Sequence, residues 1–567
     1  MFGGRSYPLP RCWSFYIFIC VICQFFFYLV ILRNRIHAEK PRSEWLPHEN
    51  NSDWRRFISR GPKRSEEYYQ YNLQLSNTLE AIRDVPRTRH ASCDSHTYSL
   101  PPSRQAQVSV VISFHNEARS MLLRTIISLL RRTPTDYLHE IILVDDASQD
   151  KTLFEDLRPG LGSQGRPWFF FLTNQRRKGL IWSRNMGAIQ ASGDYVLFLD
   201  SHCEVNEGWL EPLLERLALK PNLAVSPVLD LIDPVTLGYK KGNELLKGGF
   251  DWSLHFHWLK RDLANQELPE HPFKSPVSSG GVLMMSRKWF LKLGSFNSNL
   301  KIWGGESIEL AIKLWLCGGQ IEIVPCSRIG HIFRRHHAFD FPPHSHEQQQ
   351  QHHQQEEEQE LELSPAQATY LHNSKIIAES WLDDYKNMFY ALKPAARRIP
   401  LNHTFHQLHQ LRTELQCHRF DWYLRHVSPE LSLMLYEFAA TGTLRNEDRC
   451  LHHPGVKDSR QQLILVNCYR DDITQWSLFR STGQLSTQRE FCLGVDLHQE
   501  VTLKPCLRMN NTASMSQQWH RMDTHLVHNE THLCLENPVQ DRLVLAPCRW
   551  HAVSQSFQFS LEMERQT

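Results

Sequence analysis

Asp194–His202 reads DYVLFLDSH: five apolar or aromatic residues that run into a carboxylate, a hydroxyl and an imidazole. Three similar runs precede it, Val108–Phe114 (VSVVISF), Glu140–Asp146 (EIILVDD) and Trp168–Leu172 (WFFFL). Between them lie segments of helical length, among them Ala118–Arg132 and Gly179–Ala191. Strand alternating with helix predicts an α/β domain whose parallel sheet is covered on both faces. Ligands of such sheets bind beyond the carboxyl ends of the strands. Here those ends carry Ser113, then Asp145 and Asp146, then Asp200, Ser201 and His202, so polar and acidic groups converge on one edge, where a nucleotide is expected.

The chain has 567 residues, too many for one core, and two or three domains are expected. Its formal net charge of +2 gives no basic excess, which argues against a nucleic-acid partner. Residues 12–32, CWSFYIFICVICQFFFYLVIL, are long and apolar enough for one membrane crossing. No A-x-A site follows, so an uncleaved signal anchor is favoured over a cleaved signal peptide, with residues 1–11 as a cytoplasmic tail. Flanking charge does not settle orientation, because Arg5 and Arg11 precede the span while Arg33, Arg35 and Lys40 follow it. The cysteines do: six of the 14 recur regularly after residue 440, which reads as a disulfide framework in an oxidising compartment. Sequons at Asn50, Asn402, Asn510 and Asn529 agree with secretory exposure.

Residues 33–90 are polar, lack sustained periodicity and read as a stem between membrane and catalytic domain. Residues 344–362, HSHEQQQQHHQQEEEQELE, cannot build a core and read as a solvated insertion. Near the C-terminus, Cys450-Leu451, Cys492-Leu493 and Cys534-Leu535 recur every 42 residues, with Trp476, Trp519 and Phe557 late in each repeat. Three such units predict a threefold, mostly β structure with one shared core.

Residues i and i+2 of an extended chain point the same way, so Asp200 and His202 face the cleft together. Carboxylate plus imidazole suits Mn²⁺, which would neutralise charge on a departing diphosphate. Downstream, Trp303-Gly304-Gly305-Glu306 sets an aromatic and an acid beside two glycines. Glu306 also has a plain reading, as an acid favouring a helix N-terminus. His331 and Arg334 follow a predicted strand end and could supply a third metal ligand and a phosphate partner.

The stretches VVISFHNEARSMLLRT, EIILVDDAS, FLDSHCEVNEGWLEPLLER, GGFDWSL and WGGESIEL, in that order, resemble the polypeptide N-acetylgalactosaminyltransferases. The resemblance runs from about residue 90 to the C-terminus, and the repeats are similar to that family's ricin-type lectin domain. It implies a GT-A nucleotide-sugar catalytic domain over 91–440 and a β-trefoil over 445–567. It also implies transfer of N-acetylgalactosamine from UDP to serine or threonine of protein or glycopeptide acceptors, with Mn²⁺ and retention of configuration, by a single-pass type II protein of the Golgi membrane. By matching motif, Asp200, His202 and His331 would bind Mn²⁺. Ser113, Asp146, Arg177, Ser201 and Trp303 would line the UDP-sugar site, with Arg334 and His337 reaching the diphosphate. Glu306 would sit near the transferred sugar and the acceptor hydroxyl, and Phe250, Trp252 and Phe333 would form the acceptor groove. Arg177 and Phe250 also read, more plainly, as surface charge and core aromatic. The same resemblance pairs Cys93 with Cys326 and Cys317 with Cys417 and, once three lectin pairs form, leaves Cys203 free.

Two departures stand out. After HIFRR the family usually has a proline and then a tyrosine in a mobile lid; here Ala338 and Phe339 take those places, and the Gln/His/Glu insertion follows. Phe339 keeps the ring at the donor site but lacks a hydroxyl that could hold the diphosphate. The lectin triplets read Cys-Leu-His452, Cys-Leu-Gly494 and Cys-Leu-Glu536 instead of Cys-Leu-Asp, which favours a folded, non-binding lectin domain with Glu536 as its one candidate contact. Two alternatives to an active transferase follow: a weak relative that binds UDP-sugar or glycoprotein without efficient turnover, and a different donor sugar on the same fold.

Overall fold

The computed structural model describes residues 51–161, 168–261, 263, 268–336, 339–341, 363–401, 405–453, 463–468, 473–487, 491–509, 512–538 and 543–563. The apolar run 12–32, the insertion 344–362, and His337 and Ala338 lie outside them. Among the described residues no helix is long and apolar enough to cross a membrane. The described residues fall into two compact units: those within Met1–Glu244, Gly281–Leu291 and Val324–Phe339 in the first; those within Leu245–Gly280, Lys292–Ile323 and Asp340–Thr567 in the second.

The first unit holds the sheet that the apolar runs predict. Its strands are β1 Val108–Phe114, β2 Leu138–Asp145, β3 Trp168–Thr173, β4 Tyr195–Asp200, β5 Cys203–Val205, β6 Leu223–Ile232, β7 Val282–Ser286 and the end of β8, Gln320–His331. The order is β8-β6-β7-β4-β1-β2-β3. β1 runs parallel to both β2 and β4, and β2 parallel to β3, whereas β7 is antiparallel to β4. Every residue of β1 is buried, as a central strand covered on both faces requires. Register sets Ser113 beside Val144 on one side and Asp200 on the other, so the polar ends of the three strands do share one edge. β5 pairs with β8, with His331 opposite Cys203. Helices α1, Arg119–Arg132, and α2, Leu180–Gln190, pack their apolar residues against this sheet.

The stem reading of 33–90 needs correction from residue 51 onward. Asn51–Ser59, Glu66–Tyr69 and Leu73–Thr78 are helical, and Trp54, Phe57, Tyr69 and Tyr71 are buried. Trp54 and Phe57 join the main core of the first unit; Tyr69 and Tyr71 pack with Ala118, Met121 and Ile332. The apolar residues are irregularly spaced, so no sustained period shows, yet most of the fully buried ones are large rings whose burial stabilises strongly. Polar contacts add to this: Arg124 of α1 donates to Ser76 O at 2.7 Å, and Ser76 Oγ meets Ser120 Oγ at 2.8 Å.

In the second unit, α3, Glu306–Leu316, and α4, Pro365–Trp381, are joined by a bond from Trp381 Nε1 to the buried Glu309 carboxylate at 3.0 Å. The C-terminal repeats form a β-trefoil around Leu451, Trp476, Leu493, Trp519, Leu535 and Phe557. Repetition extends to hydrogen bonds: Trp476 Nε1 donates to Leu451 O and Trp519 Nε1 to Leu493 O, both at 2.9 Å. Phe557 keeps the volume and cannot make that bond. Disulfides join Cys93–Cys326, Cys317–Cys417, Cys450–Cys468, Cys492–Cys506 and Cys534–Cys548, and Cys203 is free and buried, as expected.

Candidate active site

Asp200 ends β4, His202 lies in the turn before β5, and His331 ends β8; one ligand atom from each lies within 4.8 Å of the others. Among the described residues this is the one group of three or more such side chains placed to hold a metal ion. Asp200 Oδ1 accepts from Arg184 of α2 at 2.8 Å, which leaves Oδ2 facing His331 Nε2 at 3.4 Å. A Cβ on Gly281 would stand 3.1 Å from Asp200 Oδ2 and 3.4 Å from His331 Nε2, so only glycine leaves that cradle open. His331 Nδ1 and, on the neighbouring strand end, Ser113 Oγ are buried without a hydrogen-bond partner. The donor set, one carboxylate and two imidazoles around an open cradle, fits a divalent ion of the Mn²⁺ type.

Behind the triad stands Glu117, in the loop between β1 and α1. Its Oε2 accepts from Ser201 Oγ at 2.9 Å and meets His202 Nδ1 at 3.1 Å, so His202 offers Nε2 to a ligand. Arg334 donates to both oxygens of Glu117, at 2.7 and 2.9 Å, and Tyr71 Oη donates to Oε1 at 3.1 Å. Burial alone would raise the Glu117 pKa; Arg334 and the bonds from His202 and Ser201 outweigh it and hold the carboxyl well below its usual range. Burial and the Arg334 charge lower the His202 pKa, which keeps the imidazole neutral and its lone pair available. For Asp200, burial is again outweighed, here by His331, Arg184 and His202, and the carboxylate stays ionised.

Asp146 acts through the backbone: its oxygens accept from Asn174 Nδ2, Lys178 N and Gly179 N at 2.7–2.8 Å, fixing the loop that carries Arg177. The Arg177 guanidinium lies 4.8 Å from the centroid of the Phe339 ring, a cation–π contact, and 3.9 Å from Asp146 Oδ2. Ser113, Asp146, Arg177, Asp200, Ser201, His202, His331, Arg334 and Phe339 thus fall in one unit.

Residues 109–294 match the glycosyl transferase family 2 model, 264–338 the model described as the N-terminal domain of galactosyltransferase, and 440–557 the ricin-type beta-trefoil lectin domain. The chain is 64% identical over 578 residues to "Putative polypeptide N-acetylgalactosaminyltransferase 13" of Drosophila melanogaster, covering 100% of both. Over 508 residues it is 36% identical to polypeptide N-acetylgalactosaminyltransferase 14 of Homo sapiens, covering 86% of this chain and 85% of the relative. The chain belongs to the polypeptide N-acetylgalactosaminyltransferase family. Its fold agrees with the crystal structure of GalNAc-T7 with UDP, GalNAc and Mn2+, at TM-score 0.65 and 24% identity over 92% of this chain and 94% of that one. A GT-A glycosyltransferase domain followed by a ricin-type β-trefoil is therefore the architecture of this family member.

The second unit holds Trp303, Glu306, Phe250 and Trp252. Trp303 is 36% exposed, and its carbonyl and that of Gly304 accept from Asn373 Nδ2 at 3.2 and 2.9 Å. Glu306 is buried at the start of α3, and its Oε2 accepts from Gly304 N at 2.9 Å, so the plain helix-start reading describes at least one of its oxygens. Phe250 and Trp252, the expected groove residues, lie in the unit's interior. Both are buried, Phe250 against Tyr423 and Trp252 against Tyr385 and Phe420, and Trp252 Nε1 donates to Leu431 O at 3.2 Å. Phe333, in the first unit, is 40% exposed.

Glu117, Arg184 and Tyr71 are the residues that sequence reasoning missed. Glu117 does follow a strand end in SFHNEA, a position where an acid merits notice. Nothing local marks Arg184 or Tyr71, whose partners lie 16 and 46 positions away.

Proposed function

We propose that this family member transfers N-acetylgalactosamine from UDP-GalNAc to serine and threonine hydroxyls of proteins, with Mn²⁺ and retention of configuration. The observation that carries the reading is the Asp200/His202/His331 cluster at the nucleotide edge of a GT-A sheet. Full-length identity to a family member of 64% supports it. Asp200, His202 and His331 would hold the ion, which when bound neutralises charge on the diphosphate leaving group. Asp146 orders the loop that presents Arg177 to the donor, and Ser113 Oγ offers an uncommitted hydroxyl at the strand end. Arg334 brings a guanidinium for phosphate oxygens and, by resemblance, His337 does the same; Ser201 and Trp303 would complete the donor pocket. Glu306 is assigned to the sugar and acceptor hydroxyl, and Phe333 to the acceptor peptide. Residues 12–32 would anchor the chain in the Golgi membrane with residues 91–440 as catalytic and 445–567 as lectin domain, both lumenal; the five disulfides support an oxidising compartment.

A second reading, weak turnover, has one observation in its favour: Phe339 covers Arg177 and has no hydroxyl to give the diphosphate. One assay decides between them. Peptide transfer and donor hydrolysis are measured with Mn²⁺ and a panel of UDP-sugars; transfer from UDP-GalNAc alone is expected, and binding of UDP-GalNAc without transfer would sink the first reading.

A further inference from the structure

We propose that Tyr71, in the segment N-terminal to the GT-A sheet, is a positioning residue for the metal site. Its hydroxyl donates to Glu117 Oε1, while Glu117 Oε2 meets Nδ1 of His202 and accepts from Ser201 on the metal-bearing turn. Arg334 closes the arrangement, bonded to both Glu117 oxygens and with its guanidinium carbon 5.6 Å from the Tyr71 ring centroid. A carboxylate on the far nitrogen of a metal-binding histidine fixes its tautomer and orientation. Tyr71 in turn fixes the carboxylate: Ser201, His202, Arg334 and the backbone N–H of Ala118 all draw on it, and among the described residues Tyr71 is the one partner reaching it from before residue 108.

The segment is held rigidly enough for this task. Tyr71 is 4% exposed and its ring lies 5.7 Å from that of Tyr69. The next residue, Asn72, donates its N–H to Pro234 O at 2.8 Å, and its side chain caps the helix Leu73–Thr78 by accepting from Leu75 N. Residues that read as spacer from the sequence thus support a ligand of the ion.

The inference rests on the metal reading above, and the test separates the two. The full-length chain is titrated with Mn²⁺ in the presence of UDP, and free ion is followed by its electron paramagnetic resonance signal. Tyr71→Phe removes the hydroxyl and keeps the ring; a lost bond to a charged group, transmitted in part, should weaken Mn²⁺ binding about three- to tenfold. Glu117→Gln should weaken it about 10–100-fold, as loss of an outer partner of a metal-ligating histidine does. Because Tyr71 acts through Glu117, adding Tyr71→Phe to Glu117→Gln should cost nothing more, whereas a merely structural role gives additive losses. Wild-type affinity in Tyr71→Phe, or additive losses in the double variant, would overturn the proposal. Should Glu117→Gln fail to fold, Glu117→Asp takes its place in the same cycle, and wild-type affinity in Tyr71→Phe overturns the proposal in either case. A wild-type chain that takes up no Mn²⁺ would overturn the metal assignment, and this inference with it.

Discussion

Asp200 and Glu536 are both acids in short motifs, Asp-Ser-His and Cys-Leu-Glu, and the chain treats them in opposite ways. Arg184 occupies one oxygen of Asp200, and the other faces the His331 imidazole beside the space that Gly281 leaves open. Glu536 has no such opening: Arg549 and Ser554 Oγ bind its Oε1, and Gln555 Nε2 donates to its Oε2 at 3.1 Å. The other lectin repeats are closed differently. His452 Nδ1 meets Thr474 Oγ1 at 3.1 Å, and a Cβ on Gly494 would come 2.9 Å from Ser516 O, which leaves no room for a side chain. An acid in a binding motif is a ligand site only while its lone pairs are not already committed to its own chain.

Removing Asp200 or His202 should have the largest effect. Asp200→Ala and His202→Ala should each lower peptide transfer by a factor of about 10³ or more, since charge stabilisation of several kcal/mol is lost. Near-wild-type transfer at matched expression and added Mn²⁺ would remove the distinction between the two acids.

Acid stability comes next. Glu117 has its pKa depressed in the folded chain, so its stabilising contribution is fully present above the unfolded carboxyl value of about 4.3 and fades as pH falls below it. Thermal melting of Glu117→Gln should therefore depend less on pH than wild type does between about 3 and 5; equal slopes would place the acid sensitivity elsewhere. Glu536→Ala should lower trefoil stability by about 1–2 kcal/mol through its lost hydrogen bonds and leave transfer unchanged. If wild type but not Glu536→Ala is retained on immobilised N-acetylgalactosamine, the closed-site reading fails.

The smallest expected change is a gain. Phe339→Tyr restores a hydroxyl beside Arg177 and should raise transfer severalfold at most, an effect worth roughly 1 kcal/mol. Deleting 344–362 should do less, because the entropy of ordering a loop grows slowly with its length. A large gain from deletion with none from Phe339→Tyr would reverse that ranking.

The parts of the fold legible in the sequence are those whose signal is local. Each strand of the nucleotide edge announces itself by an apolar run, and the trefoil by its repeat. The metal ligands split between the two situations: Asp200 and His202 are adjacent in one motif, whereas His331 comes 131 positions later and is tied to them by resemblance. The Glu117–Arg334 pair spans 217 positions with no periodic signal at either end. Trp252 shows the converse limit, because GGFDW marks a motif without saying that the ring is packed against Tyr385 and Phe420. Residues 51–90 hide their order because a few large rings, buried against α1 and its neighbours, replace a regular stripe.

Cys203 sits one residue beyond His202, fully buried, and burial pushes its thiol well above the usual range. Among the described residues it is the one cysteine outside a disulfide. An alkylating reagent can reach it only when the packing around β5 opens, and β5 pairs with the strand end that carries His331. Its labelling rate is therefore a built-in clock for opening of the metal layer. A ligand that joins His202 to His331 should slow that clock, in a chain that needs no added probe.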